Sequence, residues 1–121
     1  MRFIQEWGYT VKIGEEGAHQ QWLTEHDAEI RAATPAGMTY IGTFAVIFNS
    51  EKQAGGYRML YELDSYGAMD SGAAANKDPG SPWGRLIRDW GRFVETDLAA
   101  PWSNGLLKNV IDATIWDPPT D

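Results

Sequence analysis

The chain has 121 residues, a net charge of −7 and no cysteine, which suits one domain with a core of its own and excludes disulfides, thiolate metal sites, iron–sulfur clusters and a cysteine nucleophile. An acidic balance without any run of Lys or Arg repels a nucleic-acid backbone. No apolar stretch approaches the roughly 18–20 residues that span a bilayer, and Glu6 arrives before a signal-peptide core could form, so a soluble cytoplasmic protein with neither a membrane nor a nucleic-acid partner is expected.

From Phe3 to Ile13 the residues alternate: Phe3, Trp7, Tyr9, Val11 and Ile13 share one parity, Glu6, Gly8, Thr10 and Lys12 the other. Period two is the mark of a strand with one apolar face. Gly14 breaks it, and the negative charge of Glu15 and Glu16 favours a helix start. Between Glu15 and Thr34 the apolar positions Ala18, Trp22, Leu23, Ile30 and Ala33 recur at helical spacing, and Pro35 and Gly37 stop the helix.

Residues Thr39–Asn49 are rich in aromatic and β-branched types, which predicts a second strand. Ser50–Gly56 is polar and ends in two glycines, as a hairpin connection does. Tyr57, Met59, Tyr61 and Leu63 then alternate with Arg58, Glu62 and Asp64 in a third strand. A short helix is expected over Tyr66–Ala75, then a loose stretch from Asn76 to Gly80. Ser81-Pro82 supplies an N-cap and a proline at the first helical position. Trp83, Leu86, Ile87, Trp90 and Val94 follow on one helical stripe. Pro101 closes that region, and a fourth strand is predicted over Leu106–Trp116.

The order is β-α-β-β-α-β, the ferredoxin-like pattern, an α+β sandwich in which two helices cover one face of a four-stranded antiparallel sheet, here filling residues 1–121 as a single domain. The other face would carry Glu6, Gly8, Thr10, Ile41, Ala45, Ile47, Leu60 and Glu62. That mixture of apolar and charged side chains points to cover by a second copy of the chain. Arg58 alternates onto the same face, toward Glu6 or Glu62 or toward an anion.

With its Trp- and Tyr-rich helix-covered side, this arrangement resembles the dimeric α/β-barrel superfamily, which includes antibiotic-biosynthesis monooxygenases. Tyr9-Thr10-Val11-Lys12-Ile13-Gly14 resembles the first strand and turn of its NIPSNAP-type branch. The resemblance implies two subunits stacked by their open faces into a barrel, with a ligand between each sheet and its own helices. It also implies a cofactor-independent enzyme, monooxygenase-like or isomerase-like, acting on a small aromatic or apolar molecule. A non-catalytic carrier and a purely structural homodimer are the alternatives.

On the helix-facing side Trp7, Trp22, Tyr57, Tyr61, Trp83 and Trp90 are the candidate ligand-binding residues, either a pocket wall or ordinary core. His26, four residues after Trp22 on the apolar stripe, is the candidate proton carrier, with Tyr9 as its candidate catalytic companion, or else a locally satisfied structural imidazole. His19 lies two turns earlier, too far from His26 for adjacent-turn metal ligation, and reads with Glu15 as a solvated surface pair. No metal or cofactor is predicted, with haem on a histidine a minor option. The glycine-containing stretch from Gly67 to Gly80 is either a lid or an ordinary connection. Dinucleotide, nucleoside triphosphate and α/β-hydrolase signatures are missing.

Overall fold

A computed structural model describes residues 3–48, 56–96 and 102–110. Strands β1 (Phe3–Tyr9), β2 (Met38–Ala45), β3 (Tyr57–Leu63) and β4 (Trp102–Lys108) form one antiparallel sheet in the order β2-β3-β1-β4. Helices α1 (Glu16–Ala33), α2 (Ala68–Lys77) and α3 (Pro82–Trp90) complete the fold, with a 3₁₀ turn at Gly91–Phe93. The short helix expected before Ser81 therefore forms, shifted two residues toward the C-terminus.

The sheet does not close into a barrel, contrary to the expectation drawn from the resemblance. β2 and β4 each pair on one side only and leave the sheet with two open edges. Four strands are too few to curl onto themselves around a filled interior, which takes about eight.

β1 ends at Tyr9, four residues earlier than its alternation suggested. Beyond it Val11 makes an isolated bridge with Val94, held by Lys12 N to Phe93 O at 2.8 Å and Glu95 N to Thr10 O at 2.8 Å. Gly14 takes a left-handed φ of 89° in the turn to α1 and leaves Ile13 almost fully exposed. The expected connection over 50–56 lies, but for Gly56, outside the described residues. β4 runs from Trp102, because every β1 residue from Phe3 to Tyr9 has a partner between Lys108 and Trp102; residues 111–116 lie outside the described residues.

β2 carries the largest departure in detail. The register slips between Tyr40 and Gly42, so Ile41 is a bulge and every later residue changes face. Phe44, paired with Arg58, consequently stands on the open face, and Ala45, paired with Tyr57, does not. Arg31 of α1 donates to the Tyr40 carbonyl at 2.9 Å and to that of Ile41 at 3.4 Å, supplying the bulged backbone with hydrogen bonds that the ladder does not give.

The core lies between the sheet and the helices. Phe3, Tyr9, Met59, Tyr61 and Leu63 from the strands meet Trp22 and Ile30 of α1 and Trp83, Leu86 and Trp90 of α3. α3 begins where the sequence predicts: the Ser81 hydroxyl accepts from Gly84 N at 2.9 Å and Pro82 occupies the first turn. Among the described residues, no helix is long and apolar enough to cross a membrane.

Candidate functional site

Alternation along β1 sends Gln5 and Trp7 toward the helices, β3 sends Met59 and Tyr61, and the edge strands add Met38 and Asn104. Opposite them stand Met69, Gly72, Ala73 and Asn76 of α2 and Trp83, Ile87 and Trp90 of α3. These groups meet at Tyr61–Trp83 and at Trp7–Trp90 but leave space between. They enclose a cavity of about 230 Å³. Gly72 lets α2 approach Met38 closely, since a Cβ there would stand 2.9 Å from the Met38 sulfur.

The wall is thioether and indole. Met38, Met59 and Met69 all face the cavity, and these flexible, polarisable side chains adapt to an irregular apolar guest. Trp83 is fixed by its indole N–H, which donates to Asn76 Oδ1 at 2.7 Å, and it meets the Tyr61 ring edge-on at 6.0 Å. Trp7 and Trp90 pack at 5.9 Å on the other side.

Polar atoms are few. The Tyr61 side chain is 5 % exposed, and its hydroxyl donates only to the Met59 thioether, at 3.7 Å, a weak acceptor for a phenol. Burial, together with the nearby Tyr40 and Tyr9 phenols, pushes its pKa far above the ordinary tyrosine range. Gln5 Nε2 donates to Asn104 Oδ1 at 3.3 Å. Asn104, Ala73 and Asn76 are exposed, so they rim the mouth. Among the described residues, Tyr61 is the only titratable one in the lining.

A second aromatic group lies beside the cavity. Tyr9 Oη and His19 Nε2 are 2.6 Å apart and both residues are essentially inaccessible, at 0 % and 1 %. Tyr57 stacks on Tyr9 at 5.7 Å and stands 4.7 Å from His19, Phe93 approaches His19 at 5.8 Å, and Trp90 meets Tyr9 edge-on at 4.7 Å. Burial pushes the Tyr9 phenol well above its usual range, partly offset by Trp90, and pushes the His19 imidazole below its own. Both members are held neutral near pH 7.

Trp7, Tyr61, Trp83 and Trp90 therefore line the cavity, whereas Tyr9, Tyr57 and Trp22 do not. His26 is half-buried in a separate groove of about 510 Å³ between α1 and α3, with Glu29, Arg85 and Asp89. Its Nδ1–H donates to the Trp22 carbonyl at 2.9 Å, and its ring stacks on Trp22 at 4.6 Å. Trp22 in turn donates to Asp89 Oδ2 at 2.6 Å, which joins α1 to α3.

The buried imidazole is His19, where a surface position was expected. His19, Trp22, His26, Ile30 and Ala33 share one stripe at spacings of three, four, four and three, a pattern that includes both histidines. Methionines, Gln5, Asn76 and Asn104 carry no such signal. Among the described residues, no group of three or more His, Asp or Glu is arranged to hold a metal ion.

No protein-family model matches the chain, and no curated protein matches its sequence. Solved structures do match in shape. A NIPSNAP family protein from Agrobacterium tumefaciens superposes with a TM-score of 0.62 at 15% identity, covering 98% of each chain. A DABB family protein with a ferredoxin-like fold from Mesorhizobium loti gives 0.57 at 15% identity, over 90% of this chain and 97% of that one. A dimeric protein of unknown function with a ferredoxin-like fold from Bacteroides fragilis gives 0.56 at 7% identity, over 89% of this chain and 96% of that one. The chain has the ferredoxin-like fold of the NIPSNAP and DABB structures. At these identities the likeness is one of fold, and activity has to be argued from the cavity itself.

Proposed function

We propose that the chain is a binding module for a small neutral aromatic or apolar molecule, held in the cavity between the sheet and helices α2 and α3. The observation that carries this reading is the Tyr61 phenol, buried in a Met- and Trp-lined cavity with only a thioether to accept its proton. A buried hydroxyl without a good acceptor gains from a guest that supplies one. The carrier reading is favoured over the monooxygenase-like or isomerase-like one because the described lining contains no His, Asp, Glu or Lys to move a proton. His26, the candidate proton carrier, faces a different groove.

An engineered cavity of about 150 Å³ holds benzene, so 230 Å³ suits a single substituted ring. Toluene should therefore quench the indole fluorescence with a dissociation constant on the order of 0.1–1 mM. At 5 mM it should raise Tm by roughly 5 °C. Ala73→Phe, at the exposed rim, should abolish both responses while leaving the ligand-free Tm within about 2 °C. A wild-type protein indifferent to toluene would refute the reading.

Self-association through the open sheet face is a further part of this proposal. Phe44 and Leu107 stand there about half exposed, at 49% and 54%, beside the partly covered Ile4 and Leu60. The similar Bacteroides fragilis protein is described as dimeric. Light scattering at micromolar concentration should give twice the chain mass, and Phe44→Glu should halve it. A monomeric wild type would remove this part of the proposal.

A further inference from the structure

The polar groups of the cavity converge on one ligand chemistry. Gln5 and Asn104 sit on neighbouring strands, β1 and β4, and their side-chain amides are joined by a single hydrogen bond of 3.3 Å. Whichever amide donates, the bond uses one N–H and one carbonyl oxygen. One carbonyl oxygen and one NH₂ group remain, both on residues that line the cavity. Such a pair complements a flat group that offers a donor and an acceptor together, as a primary amide or a lactam edge does.

The described lining carries no charge of either sign. Among the described residues it contains no Lys, Arg, His, Asp or Glu, so a carboxylate or an ammonium would lose water without gaining a counter-ion. The net charge of −7 further disfavours an anion. A purely apolar guest avoids that cost but offers the free carbonyl and NH₂ no partner in place of any water it displaces.

From this we infer that the cavity selects neutral single-ring aromatic amides, with the ring against the thioethers and indoles and the amide edge on Gln5 and Asn104. The inference rests on the binding reading of the same cavity. It goes further by naming the functional group that the site reads.

Titration of the wild-type protein with benzamide, benzoate and toluene at pH 7.5, followed by the fluorescence of the lining tryptophans, tests it. Benzamide should bind at least about tenfold more tightly than benzoate, and more tightly than toluene. Gln5→Leu should lower benzamide affinity about tenfold and leave toluene unchanged or tighter, and Asn104→Val should do the same. Asn104 is exposed on an edge strand, so its variant keeps the test open if the substitution on the central strand impairs folding.

Equal affinity for the three probes, or a preference for benzoate or toluene, would overturn the amide selectivity and leave the cavity as a binding site. Selectivity that survives both substitutions would likewise overturn the assignment to Gln5 and Asn104. Binding of none of the three would overturn this inference and the proposed function together.

Discussion

Replacing Gly84 with alanine is expected to destabilise the protein by about 3 kcal/mol. An added Cβ would stand 2.0 Å from the Asp78 carbonyl oxygen, 3.0 Å from its carbonyl carbon and 3.0 Å from Ser81 Oγ. Two of those atoms are backbone, and they are not free to yield. The Asp78 carbonyl accepts from Ser81 N at 3.2 Å and from Ser81 Oγ at 2.9 Å, while Ser81 Oγ accepts from Gly84 N at 2.9 Å. Relieving the clash breaks the cap of α3 and pulls Trp83 from Asn76, which opens the cavity wall as well. Gly91 is the matched control. Nothing lies within 4 Å of a Cβ there and its φ is −57°, so Gly91→Ala should be neutral or slightly stabilising. Urea unfolding measures both, and a Gly84→Ala protein within 1 kcal/mol of wild type would show that the 78–81 turn adapts freely.

The contrast between these two glycines also shows what could be read without the structure. Ser81-Pro82 announced the start of α3 because capping is local chemistry, completed within three residues. The contact that makes Gly84 indispensable is local too, yet it depends on how the 78–81 turn folds back, and no residue pattern encodes that path. Alternation along β1 and β3 placed Trp7 and Tyr61 on the helix side, since a paired strand keeps its parity. β2 did not keep it: the bulge at Ile41 depends on where Arg31 arrives from α1, a tertiary contact, and so the open face holds Phe44 in place of Ala45. β4 was misplaced because Asn104 stands on the helix side and Leu107 on the open side, which breaks the apolar alternation that marks a strand. The two histidines are the same lesson on a helix. They share a stripe, and depth decides between them: at His19 the helix lies over Tyr9 and Tyr57, while at His26 it faces α3 across an open groove. A pocket on the helix side was one of two open readings of Trp7, Tyr61, Trp83 and Trp90, and the choice between pocket and packed core depends on how far α2 stands from the sheet.

The depth of His19 has a consequence for stability as a function of pH. Burial lowers its folded-state pKa below the unfolded value of about 6.5. Above pH 6.5 the imidazole is neutral in both states and its pairing with Tyr9 contributes in full. As pH falls through 6.5 toward the lowered folded value, the unfolded chain takes up a proton that the folded chain refuses. Stability then declines, by at most about 1.4 kcal/mol per pH unit for this one group. The histidine contribution is isolated by difference. His19→Phe keeps the ring contacts with Tyr57 and Phe93 and removes the imidazole end of the 2.6 Å bond to Tyr9. At pH 7.5 the variant should be less stable than wild type by about 1–2 kcal/mol. At pH 5 the gap should narrow, because the wild type bears the cost of a buried imidazole and the variant has none. Tyr9→Phe separates the two contributions: it loses the hydrogen bond, keeps the buried histidine, and should retain the wild-type decline on acidification. Unfolding curves for wild type and His19→Phe that ran parallel from pH 7.5 to 5 would mean that the imidazole is accessible to protons in the folded protein, and that the Tyr9–His19 pair opens readily despite its complete burial.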